Sequence, residues 1–254
     1  MATVPGSSYG NYIQDTHAGA ILMGNGNNDM IFAFDNNDTI YGGGGSDFIS
    51  TSGSHETIFG EGGNNVIQMS GNHDYVETGD GNDVVSTTGS GSDTIIGGAG
   101  DDTIMAGGKS NLLEAGTGND YLQGGTGGDT IIGGSGQDTM VAGSGNELMI
   151  SGSGVNTMIA GSGNDTMIGG GQDTFVFNSG GGKEVVMGFG DGDILQIQKG
   201  INGLNIAKPQ DLLPYIQEDS AGNAVIKLGS ETITLIGVKA EDMQHNPSGY
   251  FTVH

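Results

Sequence analysis

Cysteine, tryptophan and arginine are all missing from this 254-residue chain, and its only permanently cationic side chains are six lysines set against 30 acidic residues. Without cysteine there is neither a disulfide to staple the fold nor a thiolate metal site. A formal charge of −24 with no arginine excludes nucleic acid and anionic membrane surfaces, both of which are gripped by basic patches. The lysines are Lys109, Lys183, Lys199, Lys208, Lys227 and Lys239, so residues 1–108 carry no cationic side chain other than histidine. Internal salt bridges cannot neutralise that half, whereas a soluble cation can. No run approaches the ~18 apolar residues of a membrane span, and no membrane insertion is expected. The opening MATVPGSSYGNYIQDT has neither a basic start nor an apolar centre, so no cleavable export signal is visible.

Glycine is what the chain has in excess, at 53 residues. Such a composition suggests disorder, but a disordered chain does not keep an apolar register, and this one does. An acid or amide recurs every ninth residue at Asp29, Asp38, Asp47, Glu56, Asn65, Asp74 and Asp83. After one extra residue it continues at Asp93, Asp102, Asn111, Asp120, Asp129, Asp138, Glu147, Asn156 and Asp165, and a step of eight reaches Asp173. Ala20 and Asn11 extend the series backward in degenerate form. Two residues after each anchor stands an apolar side chain, from Ile13 and Leu22 through Ile131 and Met140 to Phe175, in all 19 cases, although only 34% of the chain is apolar.

Three residues around each apolar position suit a short strand with one side chain pointing inward. The preceding six, rich in Gly, Asn, Ser and Asp, suit turns, including those with positive φ. Strand–turn–strand–turn makes a coil of 18 residues, and roughly nine such coils stacked ~4.8 Å apart give a rod on the order of 40 Å long. The core is then a thin double column in which Met140, Met149, Met158 and Met167 serve as adaptable packing. Stacking places every second anchor on the same edge. One edge carries Asp29, Asp47, Asn65, Asp83, Asp102, Asp120, Asp138, Asn156 and Asp173. The other carries Asp38, Glu56, Asp74, Asp93, Asn111, Asp129, Glu147 and Asp165. Like charges one strand spacing apart destabilise the stack, and a hard divalent cation reverses that sign. Glycine turns let carbonyls converge on it, which favours calcium, with six or more oxygen ligands, over magnesium. The alternative is a metal-free solenoid held by hydrogen-bonded Asp and Asn ladders, but ionised Asp cannot pair with itself.

The phrases GGAGDDTIM (97–105), GTGNDYLQG (116–124), GGTGGDTII (124–132) and GSGNDTMIG (161–169) closely resemble the hemolysin-type, or RTX, calcium-binding nonapeptide repeat. The resemblance covers about residues 24–177 and implies an all-β fold, a calcium-bound parallel β-roll. By the resemblance, the metal ligands are Asp29, Asp38, Asp47, Asp74, Asp83, Asp93, Asp102, Asp120, Asp129, Asp138, Asp165 and Asp173, with the ladder Asp83–Asp102–Asp120–Asp138 the best supported. The second edge departs from the pattern. Asn111 follows GGKS, Glu147 is one methylene longer than Asp, and the turns before Asp38 and Asp74 read AFDNN and SGNH; on the first edge, Asn65 and Asn156 lack a charge. One well-occupied edge and one patchy edge are therefore expected.

Residues 1–23 form an N-terminal segment with degenerate repeats, 24–177 the roll, and 178–254 a distinct C-terminal region. In that last region EVVMGFG, DILQIQ, LPYIQED, NAVIKL and ETITLIGV alternate like strands, with a short helix at KPQDLL, and suggest an antiparallel β cap. TFVFNSGGGKEVVMGFGDGDILQI, NAVIKLGSETITLIGV and GYFTVH resemble the carboxy-terminal region of RTX exoproteins, which implies a type I secretion exporter as partner and an extracellular location. AGGKS (106–110) fails as a phosphate loop because Thr103 stands where its first glycine belongs, and no EF-hand loop fits. His55 and His73, 18 residues apart, are expected to stack in adjacent coils, as solvated turn residues rather than a metal pair.

No catalytic constellation stands outside the repeat, and no enzyme is expected. The function implied is a secreted calcium-binding protein with a structural or adhesive role, one that self-associates on extracellular calcium. A calcium-dependent module for cell-surface polysaccharide, or the C-terminal portion of a larger RTX exoenzyme, are the alternatives.

Overall fold

The computed structural model describes residues 3–7 and 9–254. Strands of three to seven residues, such as Thr103–Met105 and Leu112–Gly118, feed alternately into two sheets of 14 and 12 strands. Successive coils pair in parallel with their apolar residues in register, as in Ile13 opposite Ile31 and Ile31 opposite Ile49 on one sheet. On the facing sheet Ile40 lies opposite Ile58 and Leu113 opposite Ile131. The pattern of one buried side chain per strand follows from the pleat: the central residue points between the sheets and its neighbours point out. Ile31, Ile49, Leu113, Met140, Met149, Met158, Met167 and Phe175 are all fully buried, so the methionines do continue the aliphatic column. The chain is thus a parallel β-roll of about 11 turns with 18 residues per coil.

The parallel stack is longer than the expected nine coils because it extends beyond both ends of the regular phrase. Strands Thr3–Pro5 and Tyr12–Asp15 pair in parallel with Ile21–Met23 and Met30–Ala33. Toward the C-terminus, Lys183–Met187 and Ile194–Ile197 also pair in parallel, with Thr166–Ile168 and Thr174–Phe177. The sequence reading placed those two strands in an antiparallel cap. They stay in the roll because each keeps an acid two places before a buried apolar residue, Glu184 before Val186 and Asp193 before Leu195. Only the coil length changes there, to 19 and 20 residues, and the glycine phrase is lost.

Antiparallel pairing is confined to a short set, Ile216–Glu218, Ala224–Leu228 and Glu231–Leu235. The last of these also pairs in parallel with Lys183–Met187, so one strand belongs to both arrangements. The 3-10 helix Pro209–Tyr215 and the α-helix Ala240–His245 cover the end of the core with the buried side chains Leu212 and Met243. Among the described residues no helix is long and apolar enough to cross a membrane.

Candidate metal sites along the two edges

An anchor closes each turn, and most anchors point the backbone N–H at the anchor of the following coil; Asp129 does not, since both oxygens of the next anchor, Glu147, are unpartnered. On the first edge the N–H of Asp29 donates to Asp47 Oδ1 at 2.8 Å, Asp83 to Asp102 at 2.8 Å, Asp102 to Asp120 at 2.7 Å and Asp120 to Asp138 at 3.0 Å. On the second edge Glu56 donates to Asp74 at 2.8 Å, Asp74 to Asp93 at 3.1 Å and Asn111 to Asp129 at 2.7 Å. All 12 aspartates carried over by the resemblance are buried, and each accepts a backbone N–H from the preceding coil.

The second carboxylate oxygen separates these residues into two groups. On Asp29, Asp38, Asp47, Asp74, Asp83, Asp93, Asp102, Asp120 and Asp138, Oδ2 is buried with no hydrogen-bond partner. On Asp129, Asp165 and Asp173 it is satisfied within the protein. Gly125 N–H reaches Asp129 at 3.0 Å, Gly161 N–H reaches Asp165 at 3.1 Å, and Ser151 Oγ reaches Asp173 at 2.8 Å. The turn backbone accounts for much of this division. Before Asp102 and Asp120, the residues four and two places earlier (Gly98 and Gly100, Gly116 and Gly118) are left-handed. Before Asp129 and Asp165 only the residue two places earlier is left-handed, and the N–H four places earlier points at the carboxylate instead. The turns before Asp38, Glu56 and Asp74 place one left-handed residue directly before the anchor, at Asn37, His55 and His73.

The unpartnered oxygens look into small cradles. A Cβ added at Gly42 would lie 2.7 Å from Asp47 Oδ2 and 2.8 Å from the Gly60 carbonyl oxygen. One at Gly133 would lie 2.6 Å from Asp138 Oδ2 and 2.7 Å from the Ser151 carbonyl oxygen. Each cradle therefore joins a carboxylate to a carbonyl of the next coil. These oxygens suit calcium, which takes backbone carbonyls and carboxylates at ~2.3–2.6 Å. Among the described residues no group of three or more His, Cys, Asp or Glu side chains converges, so such sites rest on carbonyls as much as on side chains.

Removal from water is the main cause that pushes these acids up, opposed by the backbone N–H each accepts, and neighbouring carboxylates add to it at all but Asp83, Asp93 and Asp129. Asp47 and Asp120 rise to about 6, Asp102 to about 7 and Glu56 to about 8. Asp38, Asp74, Asp83, Asp93, Asp129 and Asp138 move in the same direction. The only ion pair among the described residues is that of His17 with Asp15, so no lysine compensates the edges. Glu147 has both carboxylate oxygens buried and unpartnered, and Glu56, with the same longer side chain, places only Oε2 on the ladder, 3.1 Å from Asp38 N–H.

A second ladder runs one residue outside the first. Asn28, Ser46, Asn64, Asn82, Asp101 and Asn119 each accept the backbone N–H of the equivalent residue in the next coil, at 2.8–3.1 Å. Four of these six acceptors are asparagines, so hydrogen-bonded ladders occur one position outside the anchors, running from side chain to backbone. His55 and His73 stack with ring centroids 5.2 Å apart, both exposed. Sequence reasoning missed the buried acids Glu184, Asp193 and Glu231. All three have a buried apolar residue two places on, but Ile233, which follows Glu231, pairs with Glu184 itself, so that spacing alone would have put Glu231 in the wrong register.

Comparison with curated proteins gave no match. Among solved structures, the extracellular lipase LipA from Serratia marcescens aligns with a TM-score of 0.39 at 19% identity. The alignment covers 76% of this chain and 38% of the lipase, so the chain spans well under half the length of that protein. The profile of the RTX calcium-binding nonapeptide repeat matches at 19–49, 50–85, 87–113, 106–140, 114–149, 141–176 and 150–183. With most of its length in these matches, the chain belongs to the RTX calcium-binding nonapeptide repeat family.

Proposed function

We propose that this calcium-binding repeat protein is secreted, folds on extracellular calcium, and has a structural or adhesive role at the cell surface or in extracellular matrix. The observation that carries the calcium-dependent part is the series of nine buried aspartate oxygens without a protein donor. Leaving a buried charged oxygen unpaired costs more than the ~1–3 kcal/mol of a neutral group, and the thin apolar column cannot offset that at every coil. Calcium would supply the missing positive charge. Asp29, Asp47, Asp83, Asp102, Asp120 and Asp138 would hold it on the first edge, and Asp38, Asp74 and Asp93 on the second. Asp129, Asp165 and Asp173 would contribute less.

Binding free energy then becomes folding free energy, which keeps the chain unfolded and threadable where calcium is scarce. Secretion is usual for RTX repeat proteins, and a type I exporter is the partner this reading requires. An exposed apolar group at the N-terminal coils supports the adhesive part: Tyr12 is 67% exposed, Met30 47% and Phe34 45%.

The test is a calcium titration that follows β circular dichroism and particle size in one sample. A joint rise in structure and size is the expected result. Structure without growth would remove self-association, and full β signal in chelator would overturn calcium-dependent folding.

A second reading, calcium-dependent binding of a cell-surface polysaccharide, is favoured by aromatic ladders on the outer faces. Tyr12, Phe32 and Phe48 lie 5.3 and 5.8 Å apart, and Tyr41, Phe59 and Tyr75 lie 5.2 and 6.1 Å apart. Sugar-ring retention on the immobilised protein with calcium, lost with chelator, would select it.

A further inference from the structure

Where the roll meets the antiparallel strands, two glutamates are buried outside the span matched by the repeat family. Glu184 is 0% exposed and Glu231 is 1% exposed. Glu184 lies in Lys183–Met187, the next strand of the roll; Glu231 opens Glu231–Leu235, the strand shared by the parallel and antiparallel arrangements. Glu184 accepts Gly182 N–H on Oε1 at 2.7 Å and Asp165 N–H on Oε2 at 2.8 Å. Glu231 accepts Asn202 Nδ2 on Oε2 at 3.1 Å, while its Oε1 is buried and makes no hydrogen bond of ordinary geometry, with the Gly181 backbone N–H near the carboxylate.

Both Oε1 atoms border one gap. A Cβ added at Gly181 would lie 3.1 Å from Glu231 Oε1 and 3.1 Å from Glu184 Oε1, so the two oxygens are no more than twice that distance apart. The gap exists because residue 181 has no side chain. The neighbouring Lys183 and Lys227 are exposed, and no ion pair among the described residues involves either glutamate. Asn202 is fixed by a second hydrogen bond to the Leu228 carbonyl at 2.8 Å, which holds the Glu231 carboxylate in place from the far side.

We propose that Glu184 and Glu231 form a divalent-cation site, filled by calcium, in the gap left by Gly181, and that this ion clips the antiparallel strands onto the end of the roll. The proposal rests on the calcium reading above but pairs an anchor, Glu184, with a residue outside the anchor register: Glu231 sits beside Gly182, two places before the residue that pairs with Glu184. Two carboxylates, one from each element, make the junction conditional on the ion. Without it, like charges face one another in a buried space. The capping strands would then dock only once calcium is present.

The experiment uses the full chain in saturating calcium, with ion counting by plasma mass spectrometry and hydrogen exchange of residues 224–235. Glu231→Gln keeps an oxygen for Asn202 and removes the charge; Gly181→Ala keeps both carboxylates and fills the gap. Each is expected to bind one calcium fewer than the parent and to lose roughly ten-fold or more of the calcium-dependent protection at 224–235, while protection at 94–105 is unchanged. Parental ion counts and protection in both variants would overturn the proposal. So would full protection of Glu231→Gln in chelator at neutral pH, which would show a pair of acids sharing a proton instead. Loss of calcium-dependent structure across 94–105 in the parent would instead sink the reading of the roll itself, which separates the two failures.

Discussion

On the first edge, six aspartates from Asp29 to Asp138 keep one carboxylate oxygen buried and without a donor, whereas on the second edge Asp129 and Asp165 turn theirs onto Gly125 and Gly161 of their own loops. The acid, its spacing and its burial are the same on both. The difference is the backbone four residues earlier: left-handed before the first-edge aspartates at 47, 83, 102, 120 and 138, and not before Asp129 or Asp165. A nine-residue turn can therefore satisfy its carboxylate internally or leave it open to an external ion. The N-terminal half of the second edge is a third case. Asp38, Asp74 and Asp93 have unpartnered oxygens, but the first two follow turns with a left-handed Asn37 or His73 next to the anchor.

The largest effect that would break this comparison is removal of the ion. In chelator at pH 7.5 the chain is expected to lose most of its β circular dichroism. Acidification should restore it, and the sign follows from the direction of the pKa changes. Unfolded carboxylates titrate near 4, while Asp47, Asp102 and Glu56 titrate at about 6, 7 and 8 in the folded chain. The folded state binds more protons between those values, so metal-free stability falls as pH rises from about 4 to 8. A chelated sample that unfolds further between pH 7.5 and 5 would contradict this. With calcium present the order reverses, because protons compete for the same oxygens.

Next in size is a paired substitution. Asp120→Asn should cost about 3 kcal/mol of calcium-saturated stability, since it removes one partner of a buried charge contact. Asp129→Asn should cost about 1 kcal/mol, because the single amide oxygen can keep the Asn111 N–H and only the hydrogen bond from Gly125 N–H is lost. Chemical denaturation at saturating calcium measures both, and equal costs would erase the distinction between the edges.

A smaller gain is expected from Glu147→Asp. Gly143 and Gly145 already adopt the left-handed pair seen on the first edge, but both Glu147 oxygens are buried and unpartnered. Shortening the side chain should raise stability in calcium by about 1 kcal/mol and add one bound ion. The smallest effect is Glu61→Gly. Glu61 holds φ at +69° in a position where glycine stands in the next coil, so relieving it should stabilise the calcium form by up to about 1 kcal/mol.

The anchors and the buried column were legible in the sequence because the two-residue offset survives even where the acid has decayed, as at Asn11 and Ile13. The open and closed turns were not, because residue type does not fix φ at the fourth residue before the anchor. Asn25 and Glu61 are left-handed without being glycine, while Gly125 and Gly161 are glycine without being left-handed. The strands 183–187 and 194–197 were misplaced for a related reason: loops of irregular length hid anchors that the core still obeys. Glu231 has the two-residue offset to Ile233, but the fold sets it two places out of the anchor register, and only the fold brings it to Glu184.

The additional residue between Asp83 and Asp93 shows how the roll tolerates such irregularity. Two successive N–H groups, of Ser90 and Gly91, share Asn72 Oδ1, and the coils on both edges lengthen to 19 residues while Val85 and Ile104 stay paired. Loop length is thereby uncoupled from core register. A lineage can insert or delete single residues in the turns, and duplicate or drop whole coils, without re-engineering the column that every coil shares.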